Sequence, residues 1–279
     1  MIKIVADSSC NLPDDLLEKH GIDVVPLSIQ FGDKTYLEGV DIDREMFYRM
    51  VEETGTVPTT SQPSPAHFAE IYERNAREGH ETLVITVTSK HSGTHDSAVL
   101  AKSLVPDAVV EVWDSLSVSL GAGFQVLEAV EAAQHGLNLS AIRMRLEDIR
   151  KRIHISLTPA TLDYLRMSGR VGTLQSTLAS ALKLKPVIEV RSGLLEVTGK
   201  VRSRAKSIQQ LIANLETNLG TGKPINLAVV HGQALEEARD LLEQITSRFQ
   251  CRRVFLEEMV SSLAVHGGPG LMAVAAYRV

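Results

Sequence analysis

Four times in the first 115 residues a short apolar run stops abruptly in polar turn residues, and stretches of helical spacing lie between the runs. Ile2-Lys3-Ile4-Val5-Ala6 stops at Asp7-Ser8-Ser9, and Val24 to Phe31 stops at Gly32-Asp33-Lys34. Leu83 to Thr88 runs into Ser89-Lys90-His91-Ser92, and Val109 to Trp113 ends at Asp114-Ser115. The intervening apolar positions recur at helical spacing, as in Met46, Phe47, Met50 and Val51 or Phe68, Ile71 and Tyr72. Strand alternating with helix predicts a parallel sheet covered on both faces. In such sheets ligands gather beyond the carboxyl ends of the strands, so the polar turns are where a site is expected.

The turn after the third run is the richest in chemistry. Ser92 and Thr94 offer hydroxyls, and Gly93 between them permits close backbone approach. Ala98, Leu100 and Ala101 predict a helix starting nearby, whose N-terminus would favour a small anionic group; capping of that helix by Ser92 or Thr94 is the plainer role. A second hydroxyl-rich stretch, Val57 to Pro65, holds Thr59-Thr60-Ser61-Gln62 between prolines. The prolines restrict the backbone to an extended path, so Thr60 and Ser61 are expected on a rigid rail, with Ser64 or Ser61 also able to cap the helix through Phe68. Asp7-Ser8 and Asp114-Ser115 repeat one arrangement at two strand ends. Ser117 to His135 predicts a helix whose Gly121-Ala122-Gly123 turn is nearly bare, either for close packing or as the wall of an apolar tunnel.

Beyond Ala141 to Arg152, a basic amphipathic helix, the pattern changes. Ile153 to Leu157 predicts a strand, and Thr161 to Val171 a helix ending at Gly169 and Arg170. Arg191-Ser192-Gly193 between two apolar runs signals a hairpin, so antiparallel pairing enters here. Further strands are expected at Asn226–His231, Arg252–Met259 and Leu271–Tyr277, with a helix from Ala234 to Phe249. His266 precedes a glycine-rich turn, Gly267-Gly268-Pro269-Gly270, and is the histidine singled out. The fold class expected is α/β in two domains: residues 1–152 as a parallel-sheet α/β domain with linking helices, and 153–279 as an α/β domain in which antiparallel pairing enters.

Composition narrows the function. The 279 residues are 44% hydrophobic and 23% charged with a net charge of −5, and no long run of Lys or Arg occurs. Phosphate-driven nucleic-acid binding is therefore not expected. The N-terminus turns polar too soon for a signal peptide and no run is long enough for a membrane span, so a cytoplasmic protein is expected. Cys10 and Cys251 lie far apart without a CxxC spacing, which argues against a disulfide framework or a thiolate metal site. Cys10 after Asp7-Ser8-Ser9 reads as a packing residue before it reads as a nucleophile.

Taken together, Asp7-Ser8-Ser9, Thr60-Ser61-Gln62-Pro63-Ser64, Ser92-Gly93-Thr94, Asp114-Ser115, Leu162-Asp163-Tyr164-Leu165 with Gly169-Arg170, Lys185-Pro186 and His266 with Gly268-Pro269-Gly270 resemble the DegV family in content and order. The resemblance covers essentially the whole chain. It implies a two-domain lipid-binding protein, a parallel-sheet α/β domain followed by an α/β domain with a mixed sheet, that holds one long-chain fatty acid in a tunnel between the domains. It also implies that this carrier is not itself an enzyme: it presents the carboxylate to a separate ATP-dependent fatty-acid kinase, which makes an acyl phosphate for phospholipid metabolism. The carboxylate site it implies maps onto Thr60, Ser61, Ser92, Gly93, Thr94, His266 and Gly267, and a kinase-docking face onto Arg170 and Arg202. No metal or cofactor is implied, and contact with a membrane would be transient and at its surface. Where the family often has two glycines before the arginine, this chain has Ser168-Gly169-Arg170.

Two other function classes are compatible with the residue types. A serine hydrolase could draw on Ser92 or Ser61 with His266 and Asp7 or Asp114, though no G-x-S-x-G elbow is present. A binding module for a phosphorylated or sugar-like metabolite would need a polar pocket in place of an apolar tunnel. A kinase in its own right would need a phosphate loop that the chain lacks.

Overall fold

The structure, a computed structural model, describes residues 1–170 and 184–279. The chain divides into two compact units, Met1–Lys151 with Val260–Ser262, and Arg152–Met259 with Leu263–Val279.

In the first unit the strands are β1 (Ile2–Asp7), β2 (Asp23–Val25), β3 (Ser28–Phe31), β4 (Lys34–Leu37), β5 (Thr59–Ser61), β6 (Glu81–Thr86) and β7 (Val110–Asp114). The helices are α1 (Asp14–His20), α2 (Arg44–Thr54), α3 (Pro65–Arg77), α4 (Thr94–Ala101), α5 (Leu120–Gln134) and α6 (Leu139–Arg152). Four strands form the expected parallel sheet in the order β2-β1-β6-β7. Its two central strands are buried over most of their length, Val5 and Ala6 in β1 and Leu83, Val84 and Ile85 in β6, as helix-covered parallel strands are. Val5 and Val84 pack with Phe68, Tyr72 and Ala98 of α3 and α4, and the Tyr72 hydroxyl donates to Ala98 O at 3.0 Å. Ser64 caps α3 as expected, accepting from His67 N–H.

Three expectations change. The extended run Val24–Phe31 is two strands in different sheets: it breaks at Pro26, which has no N–H for a ladder, so β2 joins the parallel sheet while β3 pairs antiparallel with β4 and β5. The hydroxyl rail is therefore part strand, with Thr60 opposite Ile29 and Ser61 opposite Ser28. The helix expected from Ser117 begins at Leu120, because Leu116 and Ser119 take positive φ of 47° and 51°, which ends any helical path before it.

The second unit contains β8 (His154–Thr158), α7 (Asp163–Met167), β9 (Lys185–Arg191), β10 (Leu194–Val201), α8 (Arg204–Leu219), β11 (Ile225–His231), α9 (Leu235–Thr246), β12 (Cys251–Glu258), α10 (Ser261–Gly267) and β13 (Met272–Arg278). The first two residues of α10 count with the first unit. The strands form a mixed sheet ordered β10-β9-β8-β13-β11-β12, in which β11 and β12 are parallel and the other neighbours antiparallel. Ser192 and Gly193, with φ of 48° and 83°, make the two-residue hairpin turn between β9 and β10. Leu211, Ile212 and Leu215 of α8 and Leu241 and Ile245 of α9 bury against Val229 and Val274. The helix at Thr161–Val171 is shorter than expected within the described residues, and Val171 lies outside them. The glycine-rich turn after His266 is preceded by a helix, α10, too short to leave a legible periodicity.

Candidate functional site

Strand order decides where the site residues go. Because β6 lies between β1 and β7, the loop leaving β6 toward Ser92 runs between the ends of both neighbours. Each neighbour holds that loop with a carboxylate. Asp7 at the end of β1 accepts from Val87 N–H at 2.6 Å, and its other oxygen accepts from the Ser9 N–H and hydroxyl. Asp114 at the end of β7 accepts from Ser89 N–H at 3.2 Å and Leu116 N–H at 3.0 Å. The repeated Asp-Ser pairs are thus two anchors for one loop. Asp7 is 1% exposed, and burial outweighs these hydrogen bonds, raising its carboxyl to about 6.

At the far end of the loop, Ser92 Oγ and Thr94 Oγ1 lie 2.8 Å apart, and Ser92 Oγ also accepts from Thr94 N–H. Gly93 is the N-cap of α4 and supplies no side-chain cap. Of the two hydroxyl protons one lies between the oxygens and the other can donate outward; Ser92 Oγ takes the first N–H of α4, and the remaining N–H groups of its first turn add backbone donors, which together suit an anionic oxygen.

Gln62, which directly follows the Thr60-Ser61 strand, joins the rail to this loop. Its side-chain amide sits over Gly93, where a Cβ would come within 2.0 Å of Gln62 Oε1, and Gln62 Nε2 donates to Ser97 Oγ at 3.0 Å. Sequence reasoning passed over Gln62 as a site residue; the lack of a Cβ on Gly93 has a meaning only once the amide above it is known. Thr60 is half-buried and Ser61 exposed, and strand geometry points them to opposite faces of the small sheet. Thr60, Ser61, Ser92, Gly93 and Thr94 therefore belong to one neighbourhood of the first unit.

The remaining residues stand in the second unit. His266 is half-buried on the last turn of α10. Gly267 is buried, and a Cβ there would meet Leu271 Cδ1 at 2.7 Å and Met259 Cε at 2.9 Å, the movable ends of two flexible side chains. Gly268 has φ of +69° and lies against the Tyr164 ring, which explains why the Tyr164 segment and the histidine turn occur together. Arg170 is half-buried and donates to Ser168 O at 2.6 Å; Arg202 is exposed just after β10. The tunnel-wall reading of Gly123 gives way to close packing, since a Cβ there would lie 2.6 Å from the Cys10 carbonyl oxygen.

A hydrolase reading finds little support in this geometry. Asp7 and Asp114 engage backbone N–H groups and a neighbouring hydroxyl, so neither is arranged to orient a histidine beside a serine. Among the described residues no group of three metal-ligating side chains converges, and no helix is long and apolar enough to cross a membrane.

A family model described as the DegV family of uncharacterised proteins matches residues 1–279. A DegV domain-containing protein of Caldanaerobacter subterraneus is 33% identical over 96% of this chain and 95% of its own length. Among solved structures, a DegV family protein of Thermus thermophilus, described by its fatty acid binding, is 32% identical with a TM-score of 0.92, covering 100% of this chain and 99% of that one. A stearic-acid-binding protein of Eubacterium ventriosum is 30% identical with a TM-score of 0.90, over 100% and 98% of the two chains. With the family model spanning every residue and the fold shared over the full length, this chain belongs to the DegV family.

Proposed function

We propose that this protein binds one long-chain fatty acid in the tunnel that the resemblance implies, with the carboxylate held by Thr60, Ser61, Ser92, Gly93, Thr94, His266 and Gly267. The observation that carries the reading is the paired hydroxyls of Ser92 and Thr94 at the N-terminus of α4, in a chain whose fold matches fatty-acid-binding structures end to end. Hydroxyl and N–H donors hold a carboxylate without a full counter-charge and leave an oxygen open to a second protein. Burial of the tail supplies the affinity, at about 0.8 kcal/mol per methylene, offset in part by ordering and desolvation. The protein then acts as a non-enzymatic carrier in the cytoplasm that presents the acid to a separate ATP-dependent fatty-acid kinase, docking through a face that includes Arg170 and Arg202.

Native mass spectrometry followed by lipid extraction tests the first part. A fatty acid is expected at one per chain in the native protein and at reduced occupancy in Ser92→Ala and His266→Ala. A protein that carries no lipid and takes up no added fatty acid would overturn the reading. For the second part, Arg170→Glu is expected to keep normal lipid content and lose turnover by the kinase; undiminished turnover would remove the docking face.

A further inference from the structure

A buried carboxylate outside the hydroxyl loop has no part in the site described so far. Glu38 follows β4 and is 7% exposed, yet three groups donate to it: Ser8 Oγ, Ser262 N–H at 2.6 Å and Ser262 Oγ at 2.7 Å. Its own backbone N–H donates to Leu27 O at 3.0 Å, and Leu27 N–H donates to Ser8 Oγ at 3.0 Å, which closes a ring of hydrogen bonds. Ser28, the residue after Leu27, pairs with Ser61 on β5. Ser262 is the second residue of α10, four before His266 on the same helix. A carboxyl taken out of water costs several kcal/mol unless its partners are well placed, and an apolar side chain could have closed this edge without that cost. What Glu38 adds over an apolar residue is direction: it holds the small sheet, the turn after β1 and the start of α10 in one register.

We propose that Glu38 is a positioning residue for the first unit's part of the ligand site, setting the place of the Thr60-Ser61 strand through the Ser8–Leu27 ring, with Ser262 holding the Glu38 carboxylate in place. The inference rests on the fatty-acid reading above. Glu38 touches no ligand group; it acts on the residues that do.

The test compares affinity for a long-chain fatty acid with affinity for its methyl ester, measured by displacement of a fluorescent fatty-acid analogue from the full-length protein. Native protein prefers the acid. Glu38→Ala is expected to bind the acid about tenfold more weakly, as for loss of a hydrogen bond to a charged group, with ester affinity unchanged. Glu38→Gln is expected to restore most of the preference, because its amide oxygen still accepts from Ser262 N–H while the two hydroxyls turn to accept from the amide. Ser262→Ala and Ser8→Ala, which each remove one hydroxyl, are expected to fall between, and they keep the test decisive if Glu38→Ala does not fold. Variants that keep the full acid preference, or that weaken acid and ester equally, overturn the positioning role alone. Native protein without any acid preference overturns the fatty-acid reading itself.

Discussion

Burial raises the Asp7 carboxyl from 3.8 to about 6 against the pull of the Ser9 and Val87 hydrogen bonds. A folded-state value above the unfolded one means stability that is complete below the unfolded pKa and lost as pH rises through about 6. The shift corresponds to about 3 kcal/mol. Unfolding free energies of native protein and Asp7→Asn, measured in urea from about pH 4 to 7, are expected to differ in slope, the native chain losing stability with rising pH and the variant losing less; parallel slopes would exclude Asp7 as the source. The same physics makes Cys10 inert, since burial pushes its thiol up to about 12. A disulfide reagent is expected to titrate half-buried Cys251 in the native protein and Cys10 only in denaturant. Rapid modification of both thiols in the folded state would contradict the buried position of Cys10.

Helix α5 shows how an element's position overrides its own preferences. It buries nearly every residue, including Gln125, whose amide nitrogen donates to Ser115 O and Gly121 O and whose oxygen accepts from Trp113 Nε1. Gly123 lets the helix approach the backbone after β1, with the Cys10 carbonyl oxygen 2.6 Å from where a Cβ would sit. Alanine would gain about 1 kcal/mol in helix propensity, but its methyl would meet backbone that has no room to yield. Gly123→Ala is therefore expected to destabilise the protein by about 2 kcal/mol net in urea unfolding. A variant at least as stable as the native protein would show that α5 can shift without cost. The elements that escaped the sequence reading, β4, β5 and α10, are all short, and β5 is held by pairing with a strand about thirty residues earlier.

A carrier that holds a long acyl chain gains stability from its cargo. If the fatty acid binds only the folded state, ligand at 100 times its dissociation constant adds about 2.7 kcal/mol. Delipidated protein is thus expected to melt at a lower temperature and to recover when a long-chain fatty acid is returned; a melting temperature blind to added acid would count against the carrier role. The chain by itself determined the parallel sheet, the antiparallel pairing of the second half at the β9–β10 hairpin and the polar turns where ligand groups gather, because alternation, turn residues and apolar period are local patterns that survive in one dimension. It also carried the motifs that mark the DegV family. Tertiary structure alone decided that Asp7 and Asp114 grip the same loop from either side, since that follows from β6 lying between β1 and β7. It alone placed the Gln62 amide over Gly93 and joined Glu38 to Ser8 and Ser262, residues 30 and 224 positions away. Hydrogen bonds between groups so distant along the chain leave no periodicity, and only the folded backbone brings their donors and acceptors within reach.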